Sequence, residues 1–230
     1  DTMQPLIIIQ CRFSSNRLHG KVLYPLNGLP ILVFLIHRIK NANLQGKIVV
    51  ATTECPEDDI VVAWAEQESV AVVRGEMDDV LSRYIKCVKT FPSDFVIRVT
   101  ADNPLTDPVI INLVIDEMKK GSWDYVSAVN GYPYGAGVDA FKSTLLTILD
   151  KKTQNKLERE HINAYILENE HEFRCRYISP PEEQAREDVK VTIDTFEDWQ
   201  RINRLLKADL SDAIGISLID AIKRFDSLSF

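Results

Sequence analysis

The chain has 230 residues, 45% hydrophobic and 27% charged, and this length and composition predict a compact protein with one core, in a single domain over residues 1–230. The net charge of −7 argues against a nucleic-acid partner, and no apolar stretch approaches the ~18 residues that a membrane span needs. The four cysteines are scattered without a C-x-x-C pair, which predicts neither a zinc site nor a disulfide framework and favours the cytoplasm.

Apolar runs of strand length alternate with helix-length periodic segments through the first half of the chain. The predicted strands are Pro5–Gln10, Gly46–Thr53, Val70–Gly75 and Asp94–Asp102. The predicted helices are Ile31–Ala42, Glu57–Glu68, about Asp79–Thr90 and Pro108–Lys120. Strands that are apolar throughout and separated by helices indicate a mostly parallel sheet that is covered on both faces.

This alternation ends after Gly121, where Trp123–Lys142 mixes aromatic, glycine and proline residues and predicts strand, loop, strand. Farther along, we predict a helix at Glu158–Glu170, strands at Phe173–Ser179 and Asp188–Thr195, a mobile loop at Ser179–Lys190, and helices near Phe196–Leu206 and Ser217–Phe225. The predicted fold class is therefore α/β, a three-layer α/β/α sandwich with a mostly parallel sheet and a small irregular excursion at 123–170.

The first strand runs into a polar loop, Gln10–Lys21, at the end of the strand where open α/β sheets bind ligands. The loop fits neither common phosphate motif: Ser15 replaces the first glycine of a P-loop, Val22 follows the lysine, and no G-x-G-x-x-G occurs. It offers side-chain donors for phosphates instead, namely Arg12, Ser14, Ser15, Arg17 and Lys21. A solvated basic loop is the alternative that charge spacing alone leaves open.

The segment QCRFSSNRLHGKVLYPLNGLPIL resembles the R-x-x-S-x-R-L-P-G-K signature of sugar-acid cytidylyltransferases, the enzymes that make CMP-activated sugars. The resemblance is nearest to the spore coat polysaccharide biosynthesis protein F branch. Further matching blocks follow in order: ATTECPEDD, RGEMDDVLSRY, RVTADNPLTDP, YPYGAGVDAF, EREHINAYI and VTIDTFEDW. His19 stands where the family usually has proline, and we expect this to be tolerated because Gly20 and Lys21 are kept. The resemblance implies a fold like that of the nucleotide-diphospho-sugar transferases.

The resemblance also implies where the nucleotide binds. Besides the opening loop, the implied contacts are Ala51, Thr52, Arg74, Arg83, Thr100 and Ala101. Two of these assignments have a plainer alternative. The ATT segment could provide a helix N-cap at Thr53 or Asp58. Arg74 could form only a surface salt bridge.

Two aspartates are the predicted metal ligands. Asp102 and Asp194 each follow an apolar strand, VIRVTA and VKVTI, and parallel strands would bring both carboxylates to one edge of the sheet. Mg²⁺ is held by one or two carboxylates plus substrate phosphates, and aspartates in matching blocks bind magnesium in the CMP-sugar synthetases that the chain resembles. The alternatives are a turn residue for Asp102 and a helix cap for Asp194.

By resemblance, the acceptor sugar would contact Gly135 and Asp139 in the excursion, and Glu160 and His161 on a helix. The same 123–170 excursion would form the interface of a homodimer.

The hypothesis is that CTP and a sugar acid give CMP-sugar and pyrophosphate, with Arg12, Lys21 and Asp102 as the catalytic residues. No covalent intermediate is required. Two alternatives stay open: a nucleotidyltransferase for another base or acceptor, and a catalytically silent domain that binds nucleotide-sugar.

Overall fold

The computed structural model describes residues 4–206 and 208–228. The strands are β1 Leu6–Gln10, β2 Pro25–Leu26, β3 Leu29–Pro30, β4 Lys47–Thr53, β5 Ala71–Gly75, β6 Phe95–Thr100, β7 Tyr125–Ala128, β8 Val138–Lys142 and β9 Cys175–Tyr177. The helices are α1 Ile31–Asn41, α2 Asp59–Gln67, α3 Val80–Thr90, α4 Pro108–Lys119, α5 Ser143–Lys152, α6 Lys156–Glu160, α7 Ala164–Glu168, α8 Phe196–Leu205, α9 Leu210–Gly215 and α10 Leu218–Ser227.

Seven strands form one sheet in the order β5-β4-β1-β6-β8-β7-β9. The pairs β5·β4, β4·β1, β1·β6 and β7·β9 are parallel, whereas β8 is antiparallel to both β6 and β7. The predicted α/β sandwich with a mostly parallel sheet is confirmed. None of the described helices combines the length and the apolar character that crossing a bilayer requires.

The sheet separates two apolar clusters because successive side chains of a strand point to opposite faces. Ile7 and Ile9 of β1 pack into the cluster that contains α1 and α4. Leu6 and Ile8 of the same strand pack into the other cluster, with α3 and α5. All four side chains are buried, which explains why β1 appears in the sequence as an uninterrupted apolar run.

The strand order reverses at β1, whose two neighbours are β4 on one side and β6 on the other. Ligands of open α/β sheets bind at such a reversal, beyond the carboxyl ends of the strands. Gln10 ends β1 opposite Thr100, which ends β6. The opening loop and the VTAD segment therefore leave the sheet side by side.

Two predicted elements differ in the structure. Glu158–Glu170 is not one helix: α6 ends at Glu160, and α7 begins at Ala164. The interruption brings Ile162 into the second apolar cluster, where it is 1% exposed. Two helices that the sequence analysis did not identify, α5 and α9, complete the fold.

The predicted strand Asp188–Thr195 is extended but does not join the sheet. Its backbone pairs with loops instead, since Tyr134 N donates to Val189 O at 2.8 Å and Ile193 N donates to Asp102 O at 2.8 Å. Val191 and Ile193 are fully buried, as the apolar pattern indicates, and the polar Thr192 between them is buried as well. The hydrogen bond from Ile193 to Asp102 brings Asp194, the residue after Ile193, to the carboxyl end of β6.

Candidate active site

A cavity of about 470 Å³ opens at the carboxyl ends of β1 and β6. Twelve of the predicted site residues line it: Arg12, Ser14, Ser15, Arg17, Lys21, Arg83, Thr100, Ala101, Asp102, Glu160, His161 and Asp194. Five predicted residues do not: Ala51, Thr52, Arg74, Gly135 and Asp139. The structure thus gathers the opening loop, the two aspartates and the segment after α6 around one space.

The opening loop is held in shape by its own backbone and by one buried carboxylate. Gly20 has φ +67°, and its N–H donates to Phe13 O at 3.2 Å. That left-handed conformation favours glycine. Asp58 is 1% exposed and accepts the Phe13 N–H at 2.6 Å. His19 packs edge-on against the Phe13 ring with centroids 4.8 Å apart, so the turn before Lys21 forms without the family's proline.

Lys21 lies between the two predicted metal ligands. Its Nζ is 3.3 Å from Asp194 Oδ1 and 3.7 Å from Asp102 Oδ2. Arg17 Nη2 is 3.4 Å from the same Asp194 oxygen, and Lys190 Nζ is 3.8 Å from the other. The two carboxylates therefore converge on one cation at the rim of the cavity.

Asp194 is positioned by the start of α8. Thr195 and Asp198 form a capping box there, and Asp198 Oδ2 also accepts the Asp194 N–H at 2.9 Å. A capping box satisfies N–H groups that the first turn of a helix leaves free. The alternative role considered for Asp194, a helix cap, is filled by Thr195, which leaves the Asp194 carboxylate available at the cavity.

The carboxylate oxygens of Asp102 and Asp194 are suitable ligands for a magnesium ion that also binds a triphosphate. Within residues 4–206 and 208–228, no group of three or more His, Cys, Asp or Glu side chains is arranged to hold a metal by itself. Asp102 and Asp194 supply two carboxylates that already face one cation. Mg²⁺ is commonly bound by one or two carboxylates, with substrate phosphates and water completing its shell.

Arg83 lines the same cavity, and two of its nitrogen atoms are buried and unpaired within the described residues. It is 2% exposed, and its Nη2 donates to Met77 O at 3.2 Å. Its Nε and Nη1 are buried without a hydrogen-bond partner in the described part of the chain. Burial lowers the pKa of Arg83, and nearby Arg12 lowers it further. Because buried donors are costly to leave unpaired, this guanidinium is suited to an oxygen acceptor on a ligand.

The model of the Cytidylyltransferase family matches residues 6–227. The chain belongs to the cytidylyltransferase family. This cytidylyltransferase is 31% identical over 228 residues to the spore coat polysaccharide biosynthesis protein SpsF of Bacillus subtilis, covering 95% of this chain and 94% of that protein. The solved structure of a cytidylyltransferase from Leptospira borgpetersenii superposes with a TM-score of 0.91 at 31% identity, covering 98% and 94% of the two chains.

A third relative is the 8-amino-3,8-dideoxy-manno-octulosonate cytidylyltransferase of a Shewanella species. It is 30% identical over 135 residues, which cover 56% of this chain and 54% of that protein. The family resemblance found in the sequence is confirmed, and the protein is an enzyme that transfers a cytidylyl group.

Three predicted nucleotide contacts of the cytidylyltransferase lie outside its cavity. The Arg74 guanidinium faces the β4–α2 connection, where it donates to Thr53 O at 2.7 Å and Cys55 O at 2.9 Å and pairs with Asp59 at 2.8 Å. Ala51 and Thr52 are 0% exposed within β4. Their side chains do not line this cavity. Arg74 forms the surface salt bridge considered as its alternative, whereas no side chain of the described residues caps the start of α2, so the N-cap alternative for the ATT segment is not found.

Two of the four predicted acceptor contacts, Gly135 and Asp139, also do not line the cavity. Gly135 has φ +100°, and a Cβ there would lie 2.8 Å from Thr192 N, so its lack of a side chain admits the 188–195 segment rather than a ligand. Asp139 is 2% exposed and is paired with Arg98. Glu160 and His161 do line the cavity, but His161 follows α6 instead of lying within a helix.

The sequence analysis missed two residues that shape the site, Arg98 in the cavity wall and Asp58 beneath the loop. A signal for Arg98 was present, because it is the one charged residue within FVIRVT, an otherwise apolar strand with a terminal threonine. Charged residues are rarely placed in such strands without a partner. Asp58 carried no comparable signal, since an aspartate at a helix start is ordinary.

Gly75→Ala is expected to displace Arg83 and weaken nucleotide binding. A Cβ on Gly75 would lie 2.7 Å from Arg83 Cγ, so the buried guanidinium must move, and overpacking of this kind costs about 1–3 kcal/mol of stability. The measurement is the thermal shift produced by CTP, which should shrink in the variant. Gly215→Ala is the matched control because a Cβ there meets nothing within 4 Å. An unchanged CTP shift in Gly75→Ala would remove Arg83 from the nucleotide site.

Proposed function

We propose that this cytidylyltransferase activates a sugar acid with CTP, giving a CMP-sugar and pyrophosphate for the synthesis of a surface or spore-coat polysaccharide. The observation that carries the proposal is the contact of Lys21 with both Asp102 and Asp194 at the reversal of strand order. The similarity to SpsF and to a sugar-acid cytidylyltransferase supports the substrate class.

In this proposal, the opening loop binds the triphosphate. Arg12 and Arg17 offer planar guanidinium groups, Ser14 and Ser15 offer hydroxyls, and all four side chains line the cavity with Lys21. Guanidinium groups match phosphate oxygens with paired donors. The nucleoside would extend toward Arg83 and toward Thr100 and Ala101 at the end of β6. The Nε and Nη1 atoms of Arg83 have no hydrogen-bond partner within the described residues.

The reaction is an in-line displacement at the α-phosphorus. A hydroxyl oxygen of the acceptor forms the new P–O bond and loses its proton to water, and the bond to the bridging oxygen of pyrophosphate breaks with its electron pair on the leaving group. Arg12 and Lys21 stabilise the negative charge that develops on the phosphate oxygens. Asp102 and Asp194 would hold Mg²⁺, which neutralises triphosphate charge when bound.

The acceptor would approach from the other side of the cavity, where Glu160 and His161 lie. The 123–170 excursion supplies this segment, and we propose the same excursion as the interface of a homodimer. All four cysteines are free, which agrees with the reducing cytoplasm as its compartment.

Thermal unfolding with CTP, UTP, ATP and GTP, each with and without Mg²⁺, tests the proposal. A ligand at 100 times its dissociation constant stabilises by about 2.7 kcal/mol, which moves the midpoint by about 5–10 °C for a chain of this size. We expect CTP, and none of the other three nucleotides, to raise the midpoint of unfolding in a magnesium-dependent way. Addition of sugar acids to CTP and Mg²⁺ should then release pyrophosphate. A shift confined to another nucleotide, or no pyrophosphate with any sugar acid, would contradict it.

A further inference from the structure

A buried ion pair lies beneath the cavity. Asp139 on β8 lies directly opposite Arg98 on β6. It accepts from Arg98 Nε at 2.8 Å and from Nη2 at 2.6 Å. The Tyr125 hydroxyl donates to Asp139 Oδ2 at 2.6 Å. Burial lowers the pKa of Arg98, but the charge and hydrogen bonds of Asp139 outweigh it and raise this pKa above its usual range.

The pair uses only one edge of the guanidinium. Arginine has five N–H donors, and Asp139 takes the Nε donor and one donor of Nη2. Nη1 and the other Nη2 donor have no hydrogen-bond partner in residues 4–206 and 208–228, although the Arg98 side chain lines the cavity and is 19% exposed. Two parallel N–H groups on one edge form the fork that binds a carboxylate.

The Arg98 side chain pairs toward β8, on the side of β6 away from β1. The opening loop, in contrast, leaves β1. Through Tyr125, the pair also reaches Asn163 Nδ2, which is 3.5 Å from the Tyr125 hydroxyl. Asn163 follows His161 by two residues, and His161 lines the cavity. Arg98 therefore belongs with the segment assigned to the acceptor.

Arg98 is also set back from the proposed point of phosphoryl transfer. Arg98 and Thr100 share one face of β6, about 6.6 Å apart at the rise of a strand, and Asp102 lies beyond them in the turn. A ligand group bound by Arg98 would thus sit deeper than the phosphates at Lys21.

We propose that Arg98 binds the carboxylate of the acceptor through its free edge, and that Asp139 and Tyr125 are positioning residues that fix the guanidinium. The inference rests on the proposed function and deepens it, because it names the residue that selects an acid over a neutral sugar. Binding of a nucleotide phosphate by Arg98 is the competing assignment.

The test compares an acid with its own neutral ester in equilibrium binding. The probes are 3-deoxy-manno-octulosonate, a 2-keto sugar acid, and its methyl ester, each added with Mg²⁺ and α,β-methylene-CTP, which blocks transfer. The wild-type protein should bind the acid about 10–100-fold more tightly, the range for paired hydrogen bonds to a charged group. In Arg98→Met the preference should fall to near one, with the CTP thermal shift unchanged.

Two further variants separate recognition from damage to the fold. Tyr125→Phe keeps Arg98 but removes one hydrogen bond from Asp139, and should lower the preference for the acid about 2–10-fold. Arg174→Met is the matched control, since Arg174 is an exposed arginine in the same half of the protein, and its preference should equal that of the wild type. A merely structural role would change the affinity for both probes and leave their ratio intact.

Each other outcome overturns the inference. If Arg98→Met keeps the preference for the acid, Arg98 does not bind the carboxylate while the proposed function stands. If Arg98→Met loses the CTP shift, Arg98 belongs to the nucleotide site. If the wild-type protein binds neither probe, the inference is rejected, and the proposed function is decided separately by pyrophosphate release with other sugar acids.

Discussion

Lys21→Ala is expected to lower kcat for cytidylyl transfer by about 10²–10³-fold, the loss typical when one preorganised charge stabiliser is removed. Lys21 is the loop cation that contacts both aspartates, with a side chain only 15% exposed. Neither neighbouring arginine replaces that contact, since Arg17 reaches only Asp194. The measurement is steady-state release of pyrophosphate at saturating CTP and Mg²⁺.

The same variant should gain a response to magnesium alone. Without Lys21, Asp102 loses the cation that it shares with Asp194, so Mg²⁺ without nucleotide should raise the midpoint of unfolding more than it does in the wild type. Lys119→Ala is the control, because Lys119 is an exposed residue of α4 away from the cavity. Wild-type turnover in Lys21→Ala would reject the assignment of the site.

Asp194→Asn is expected to abolish the magnesium-dependent part of the CTP thermal shift and to lower activity by more than about 10–100-fold, the loss typical of residues that only support a metal ligand. Asparagine keeps the size of the side chain and removes the charge that faces Lys21, Arg17 and Lys190. The measurement is a Mg²⁺ titration of activity and of the unfolding midpoint at fixed CTP.

The control for this second variant is Asp226→Asn, which removes a carboxylate that pairs with Arg186 on the surface. Surface pairs of this kind contribute about 0–1 kcal/mol, so its titration should match that of the wild type. A Mg²⁺ titration of Asp194→Asn with the wild-type midpoint would show that Asp194 holds no metal, and its role would then be to pair with Lys21, Arg17 and Lys190.

The sheet could be predicted from the sequence because its central strands are buried on both faces. β1, β4, β5 and β6 all lie within predicted strands, and α1 to α4 fall close to the predicted helices. Short runs of Ile and Val that alternate with segments of helical periodicity indicate buried parallel strands, and few other folds fit that pattern.

Elements whose backbone partners lie far away in the chain were harder to predict. The 188–195 segment has the alternation of a strand, but its hydrogen bonds go to Tyr134 and Asp102. Side-chain periodicity reports which faces are buried, and it carries no information about which backbone satisfies the N–H and C=O groups. The helix predicted at Glu158–Glu170 failed for a related reason, since burial of Ile162 overrides the local propensity.

The candidate site shows the same division. Residues in the opening loop and at the ends of β1 and β6 could be placed at the cavity because the topology of the sheet decides their position. Asp139 could not, because its role depends on register: it lies opposite Arg98 and is buried by that pair. Whether Arg74 reaches the cavity depends on the direction of its long side chain. Three hydrogen bonds, to Thr53, Cys55 and Asp59, hold that side chain near the β4–α2 connection instead.

The position of Asp194 has a consequence for how the enzyme is made. Lys21 and Asp194 are 173 positions apart in the chain, so at about 5–20 residues per second a ribosome needs roughly 9–35 s to pass from one to the other. Until Asp102 is translated the nascent chain carries the cations of the opening loop and neither carboxylate, and from there to Asp194 it carries only one of the two. A chain that stalls before the 188–195 segment docks on Asp102 would lack the second carboxylate, and competence for catalysis is therefore acquired only after that segment has been translated.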